Sequence, residues 1–467
     1  MFPQRIKALL RGQGLLGVHL SLITSIQIVI SFAIQIFTVA CFGAGRTTDA
    51  LYAGLTLPLV LTVLVIETFT VVIIPLLSSE SEVELQSLGW QLFLGSSAFF
   101  AVLAGLLYLL APLYVPYLVP GFDPAAQQLT IRMTHIQCWS LIGSGTYAVL
   151  SSLYQVRGRF VWAVLSQLLG FVIGGVLLVW KLKAVGISFA AWIQLVIAIV
   201  PTLLLLPILG RMQFSWRGEF FKKIWTNMRP MLLGKAYFLL NTPFDRILAS
   251  HLAPGTIVIF ELVGRFYAAI LRILNKGLVM PSLPPLSRLA QEGKWKKFSA
   301  LYRRKTVQMG VIGGITITMI LVVVGVGRFF AVELGLNNVA GKINAETLSV
   351  LWMITLLMAA VLPSACIGNV QANAFFAQRN TKTPTRIGIV FCTIGFAAKL
   401  TGFFLAGLKG VVLGGTLVGV GQVIASEMIL RKRVSQNIAH SDEGSTHISV
   451  SPITPRIAER VSSLEAS

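Results

Sequence analysis

Charge is what this 467-residue chain has least of. Asp, Glu, Lys and Arg make up 12% of it against 55% hydrophobic residues, and the mean hydropathy is +0.80. That leaves too little polar surface to cover a soluble domain of this length. Acids are scarcer than bases, 17 against 38, for a formal charge of +21. The bases cluster in short loops between apolar runs, so the surplus reads as membrane topology and not as a nucleic-acid surface. There are only four cysteines, Cys41, Cys138, Cys366 and Cys392, and no CxxC pair. They read as small packing residues and exclude a disulfide framework or a zinc module. The five histidines have no metal-ligand spacing, and no GxxxxGK[ST] loop exists to cradle a nucleotide. No loop carries a carboxylate or metal motif fit for catalysis. The expectation is a protein that is not an enzyme and holds neither metal nor cofactor. Strand alternation is absent too, which argues against a β-barrel.

Apolar runs of about 20 residues are what the chain has in abundance, and each is long enough to cross a bilayer as a helix. Twelve spans are expected, at 18–41, 49–77, 91–118, 130–156, 160–180, 186–210, 231–252, 256–282, 306–331, 346–376, 385–407 and 410–430. Arg157 and Arg159, Arg211 to Arg229, Arg288 to Lys305, Arg379 to Arg386 and Arg431 to Arg433 all fall on one side. The positive-inside rule makes that side cytoplasmic and places both termini there. The basic start MFPQRIKALLRGQGLLG is followed by no small-residue cleavage site, so the first span is expected to be retained. The tail 434–467 is polar and Ser-rich, and is expected to be a disordered cytoplasmic segment.

The chain repeats. A shift of 209 residues lays Ala40 on Ala249, Pro75 on Pro284, Leu77 on Leu286 and Ser78 on Ser287. A later shift of 222 lays Tyr154 on Phe376 and Arg157 on Arg379. Both shifts carry one six-span unit onto the next in the same orientation. The expected fold is an all-α integral membrane protein of two six-helix lobes, 1–210 and 231–433, joined by a cytoplasmic connector at 211–230 and related by an axis along the membrane normal.

Charges inside spans are costly and mark polar cavities. The eighth span carries Glu261, Arg265, Arg272 and Lys276 on one stripe at about 100° per residue. Arg265 is the first candidate for a substrate contact, because a guanidinium grips a diphosphate with two prongs. Its structural alternative is an ion pair with Glu67, Asp49 or Glu261. Asp49 and Glu67 stand five full turns apart on one face of the second span; Asp49 reads equally as a cap for that helix. Lys276 and Lys235 read as snorkelling to headgroups. Asp245 and Arg246, at the end of the seventh span, read as a gate or a local ion pair. The first span has an uncharged polar face of Thr24, Gln27, Ser31, Gln35 and Thr38.

Several stretches then line up in order. FGAGRTTDALYAGLTLP at 42–58, Glu67, VPGFDPAAQQLTIRM at 119–133, FDRILASHLAPGT at 244–256, Arg265 nineteen residues before Pro284, and FFAQRNTKTPTRI at 375–387 together resemble the MviN/MurJ family. These are the lipid II flippases of the multidrug/oligosaccharidyl-lipid/polysaccharide exporter superfamily. The chain departs from the family pattern where cations are expected. Its first span has no arginine, with Ile28 and Ile34 at two of the aligned positions, and Leu61 and Thr62 replace an Arg pair. Room for about twelve helices stands against the family's usual fourteen.

The resemblance implies a transporter that flips a polyprenyl-pyrophosphate-linked glycan across the bacterial inner membrane by alternating access, the cargo being lipid II or an exopolysaccharide precursor. It implies Arg265, Glu67 and Asp49 as cavity residues; the stripe on the eighth span adds Glu261, Arg272 and Lys276, and the polar face of the first span adds Gln27 and Gln35. The implied partners are membrane lipids, a coupling ion and glycan-synthesis enzymes, with no nucleic acid. The alternative is an ion-coupled exporter of small molecules from the same superfamily; two or more cavity cations argue against cationic cargo.

Overall fold

A computed structural model describes residues 2–78, 82–211, 218–333 and 345–446. Every regular element among them is helical. The first half holds α1 (Phe2–Phe42), α2 (Arg46–Gly54), α3 (Thr56–Leu61), α4 (Glu67–Leu77), α5 (Glu82–Leu118), α6 (Pro124–Gln137), α7 (Ser140–Val156), α8 (Phe160–Val185) and α9 (Ser188–Leu205). The second half holds α10 (Gly218–Leu239), α11 (Asn241–Ser250), α12 (Thr256–Leu274), α13 (Leu283–Gln291), α14 (Trp295–Glu333), α15 (Ala345–Leu357), α16 (Val361–Ala377) and α17 (Lys382–Thr446). Eight helices among the described residues are long and apolar enough to cross a membrane. The expected spans 130–156, 231–252 and 256–282 are helical as well, but turns or charges interrupt them.

Internal packing repeats with the sequence. In the first half α5 and α4 pack on α7; in the second, α14 and α13 pack on α16. Each half interrupts one long helix with a π-helical turn, Thr62–Ile66 after α3 and Asn275–Val279 after α12. Positive φ recurs within one residue of the places that the repeat matches, at Gly158 and Arg379 and again at Gly186 and Gly407. Each of these residues ends a helical stretch where the chain must turn, and φ > 0 at such ends favours glycine. Arg379 adopts it at φ 55 without that freedom. At Ala406 and Gly407 the long α17 is broken, so the expected spans 385–407 and 410–430 are distinct arms of one element.

Small residues let the arms approach. A Cβ on Gly170 would lie 2.8 Å from the Pro201 ring, and one on Gly174 would lie 2.6 Å from Ile197. This small-xxx-small face holds α8 against α9, where lipid offers no hydrophobic drive for association. Thr202 donates to the Gly143 carbonyl at 2.7 Å and ties α9 to α7.

The structure adds detail to the connector and helix to part of the tail. The connector 211–230 is helical from Gly218, and Phe220, Ile224 and Met228 of α10 are buried among Val72, Leu77 and Leu150 of the first half. The tail, whose composition suggests disorder, is helical to Thr446, because α17 simply runs on past the last apolar span. Residues 447–467 lie outside the described residues.

Candidate functional site

The two halves meet at one end of the bundle through backbone groups. Asp49, fully buried on α2, accepts from the amides of Gly255 at 2.7 Å and Val258 at 2.9 Å. It therefore caps α12 in the opposite half, and not its own helix as local spacing suggests. The first amides of a helix have no intrahelical partner, and a carboxylate there also meets the positive end of the helix dipole. Beside it, Arg46 donates to the carbonyls of Ser250 at 3.2 Å and Leu252 at 3.4 Å, with its guanidinium 4.9 Å from the Phe122 ring centre. The amide of Gly121 reaches Ser250 Oγ at 3.2 Å. A Cβ on Gly121 would come within 2.5 Å of the Ser250 carbonyl. The stretches 42–58, 119–133 and 244–256 thus knit into one closed end.

Deeper in the bundle, α12 separates two cavities. Glu261 pairs with two arginines, Arg246 from α11 and Arg265 one turn on. Arg246 is 6% exposed and also donates to the Ile257 carbonyl at 3.1 Å. Of the acids offered as partners for Arg265, Glu261 is the one it meets among the described residues. Arg265 remains the more open of the two arginines, with 28% of its side chain exposed and its guanidinium 5.9 Å from the Tyr52 ring centre. It lines a cavity of about 300 Å³ whose other polar walls come from the first half: Ser31, Gln35, Ser144, Gln167 and Gln194. The second cavity, about 500 Å³, opens on the other side and is lined by Asn241, Asp245, Arg246, Glu261 and Lys399.

Asp245 and Arg246 do not pair with each other. Successive residues on a helix point apart, so each finds a different partner. Lys399 of α17 donates to both Asp245 oxygens, at 2.7 and 3.0 Å, and to Asn241 at 2.9 Å. Sequence reasoning passed over Lys399, although a lone lysine inside the expected span 385–407 is a signal. It passed over Gln167 and Gln194 too, since a glutamine in an apolar run has no motif.

The four-residue stripe on α12 is only half realised. Glu261 and Arg265 face the cavities, whereas Arg272 is exposed and lines neither. Lys276 falls in the π-helical turn Asn275–Val279, where the even 100° step fails. The turn Thr62–Ile66 likewise stands between Asp49 and Glu67, so five even turns do not connect them. The side chains of Glu67 and Lys276 lie outside the described residues. On α1, Gln35 is 3% exposed and lines the first cavity; Gln27 is half-buried and lines neither. Thr24 and Thr38 bond back to carbonyls of their own helix, at 2.7 and 2.8 Å.

A family model described as lipid II flippase MurJ matches residues 38–449. The chain belongs to the MurJ family. A probable lipid II flippase MurJ from Haemophilus influenzae is 26% identical over 233 residues, 48% of this chain. That match spans 44% of the relative's own length. Among solved structures, a lipid II flippase MurJ in an inward closed conformation superposes with a TM-score of 0.74 at 17% identity, over 89% of this chain and 87% of the other. An inward-facing multidrug resistance MATE transporter of the MOP superfamily gives 0.71 at 15% identity, over 88% and 96%. An outward-facing MATE structure gives 0.55 at 15%, over 91% and 96%. The superposition over most of both chains shows that the helical fold is shared.

Proposed function

We propose that this MurJ-family chain flips a polyprenyl-diphosphate-linked glycan across the bacterial cytoplasmic membrane by alternating access. The observation that carries this reading is Arg265. Its guanidinium is held by Glu261, one turn away on α12, and is presented to a cavity between the halves that carries no other charge among the described residues.

Charge decides between cargoes here. Asp245 is matched by Lys399 and Glu261 is shared by Arg246 and Arg265, so among the described residues the cluster keeps one positive charge in surplus. A diphosphate satisfies that surplus with charge-assisted hydrogen bonds, whereas a cationic drug meets repulsion. The closed end faces outward in this reading, both termini are cytoplasmic, and the cavity takes its headgroup from the cytoplasmic leaflet. The higher TM-score of the inward-facing MATE structure than of the outward-facing one, 0.71 against 0.55, supports that state. With no nucleotide-binding motif in the sequence, an ion gradient or the membrane potential supplies the drive. Glycan-synthesis enzymes on the cytoplasmic face supply the cargo.

The test is transport by the purified full chain in proteoliposomes, using fluorescent lipid II and an extravesicular quencher. Protected fluorescence that redistributes only when the chain is present is the expected result. No redistribution of lipid II or of any undecaprenyl-linked oligosaccharide would overturn the reading.

A further inference from the structure

Among the described residues, the first cavity is neutral on every side but one. Its polar wall brings amides from three helices together: Gln35 from α1, Gln167 from α8 and Gln194 from α9, with Arg265 entering from α12. The tight seam at Gly170 and Gly174 fixes α8 against α9 and sets Gln167 and Gln194 on a common wall. Gln35 is 3% exposed and its Oε1 has no hydrogen-bond partner among the described residues. A buried amide oxygen left without a donor is costly, and a ligand hydroxyl relieves it.

We propose that Gln35, Gln167 and Gln194 form a subsite for the uncharged sugar of the cargo headgroup, with the diphosphate held at the rim by Arg265. Carboxamides both donate and accept, as sugar hydroxyls do, and they carry no charge to bind phosphate. A guanidinium offers donors only and suits phosphate oxygens. The headgroup therefore lies across the cavity, phosphate toward α12 and sugar toward α8 and α9. This rests on the lipid-linked-glycan reading above and adds the part of the headgroup that each wall reads.

The test compares two probes on the purified full chain in detergent: lipid II, and undecaprenyl diphosphate, which lacks the sugar. The unmodified chain is expected to hold lipid II at least about tenfold more tightly. The double variant Gln167→Leu, Gln194→Leu should abolish that preference while leaving undecaprenyl diphosphate within about twofold. Arg265→Gln should weaken both probes. Thermal unfolding of each variant is measured alongside; if the double variant does not fold, the single variants Gln167→Met and Gln194→Met are judged by the same ratio. A folded variant that keeps the full preference, or loses both probes alike, overturns the sugar subsite. Equal binding of the two probes by the unmodified chain overturns the subsite and leaves the flippase reading standing. Binding of neither probe overturns both.

Discussion

The two cavities flanking α12 solve the same problem, polar space inside a membrane protein, in opposite ways. The first-half cavity sets serines and glutamines among apolar residues, and among the described residues its one cation comes from α12. The second-half cavity is built from ion pairs, Arg246 with Glu261 and Lys399 with Asp245, which cross between helices. A buried ion pair is costly to break by removing one partner, so the charges of the second cavity are committed to each other. Neutral amides cost less to expose and to exchange, so the first cavity is the one suited to receive and release a ligand. Arg265 stands on the border, held by a carboxylate of one region and presented to the other.

Breaking that border should have the largest effect. Arg265→Ala is expected to abolish flipping in the proteoliposome assay while expression and membrane insertion stay normal; normal transport would remove Arg265 from the site. Next is Glu261→Gln, which leaves the buried Arg246 without its counter-charge. It should destabilise the chain by about 3 kcal/mol, read as a lower thermal midpoint, and Arg246→Met in the same chain should recover much of the loss. An unchanged midpoint in Glu261→Gln would mean that the second cavity is wet enough to solvate Arg246.

The closed end supplies a smaller effect. Asp49→Ala removes both acceptors from the start of α12, at a cost of about 1–2 kcal/mol. In a chain freed of its native cysteines, it should raise labelling of Thr256→Cys by an impermeant thiol reagent, since Thr256 is buried when this end is shut. Unaltered labelling would show that the cap does not hold the halves together. Topology is read with the same reagent at exposed positions: Ala125→Cys should label from outside intact cells and Lys297→Cys should not. Gly121 is a poor reporter because its neighbours leave no room for a side chain.

The smallest change sharpens the contrast between cavities. Ile34 lines the first cavity, whereas Ile28 lines neither. Ile34→Arg should add a phosphate contact and tighten undecaprenyl diphosphate by roughly tenfold; Ile28→Arg should not. Equal gains from both would place the polar face of α1 differently from its observed position.

Much of this was legible in the residues because it rests on local or repetitive signals. Apolar length marked the helices, the recurring Pro and Ser residues marked the two halves, and the order of motifs marked the family. What stayed hidden depended on partners distant in sequence. Periodicity placed Asp49 and Glu67 on one face and ran a four-residue stripe along α12, but each inference assumed an unbroken α-helix. The π-helical turns at Thr62–Ile66 and Asn275–Val279 break that assumption. No local pattern announces such turns, because a sequence does not display which carbonyl its amides will choose.

Hydropathy and repetition are properties of the chain read in order. They alone suffice for a helical membrane protein with a doubled architecture and a cationic α12. Which charges meet is a different matter, and it was settled in three dimensions. Asp49 went to the amides of α12, Asp245 to Lys399, and Arg246 with Arg265 to Glu261. The physical reason is that an ion in a low-dielectric interior takes whichever partner packing brings within reach, and packing joins residues that the chain keeps far apart.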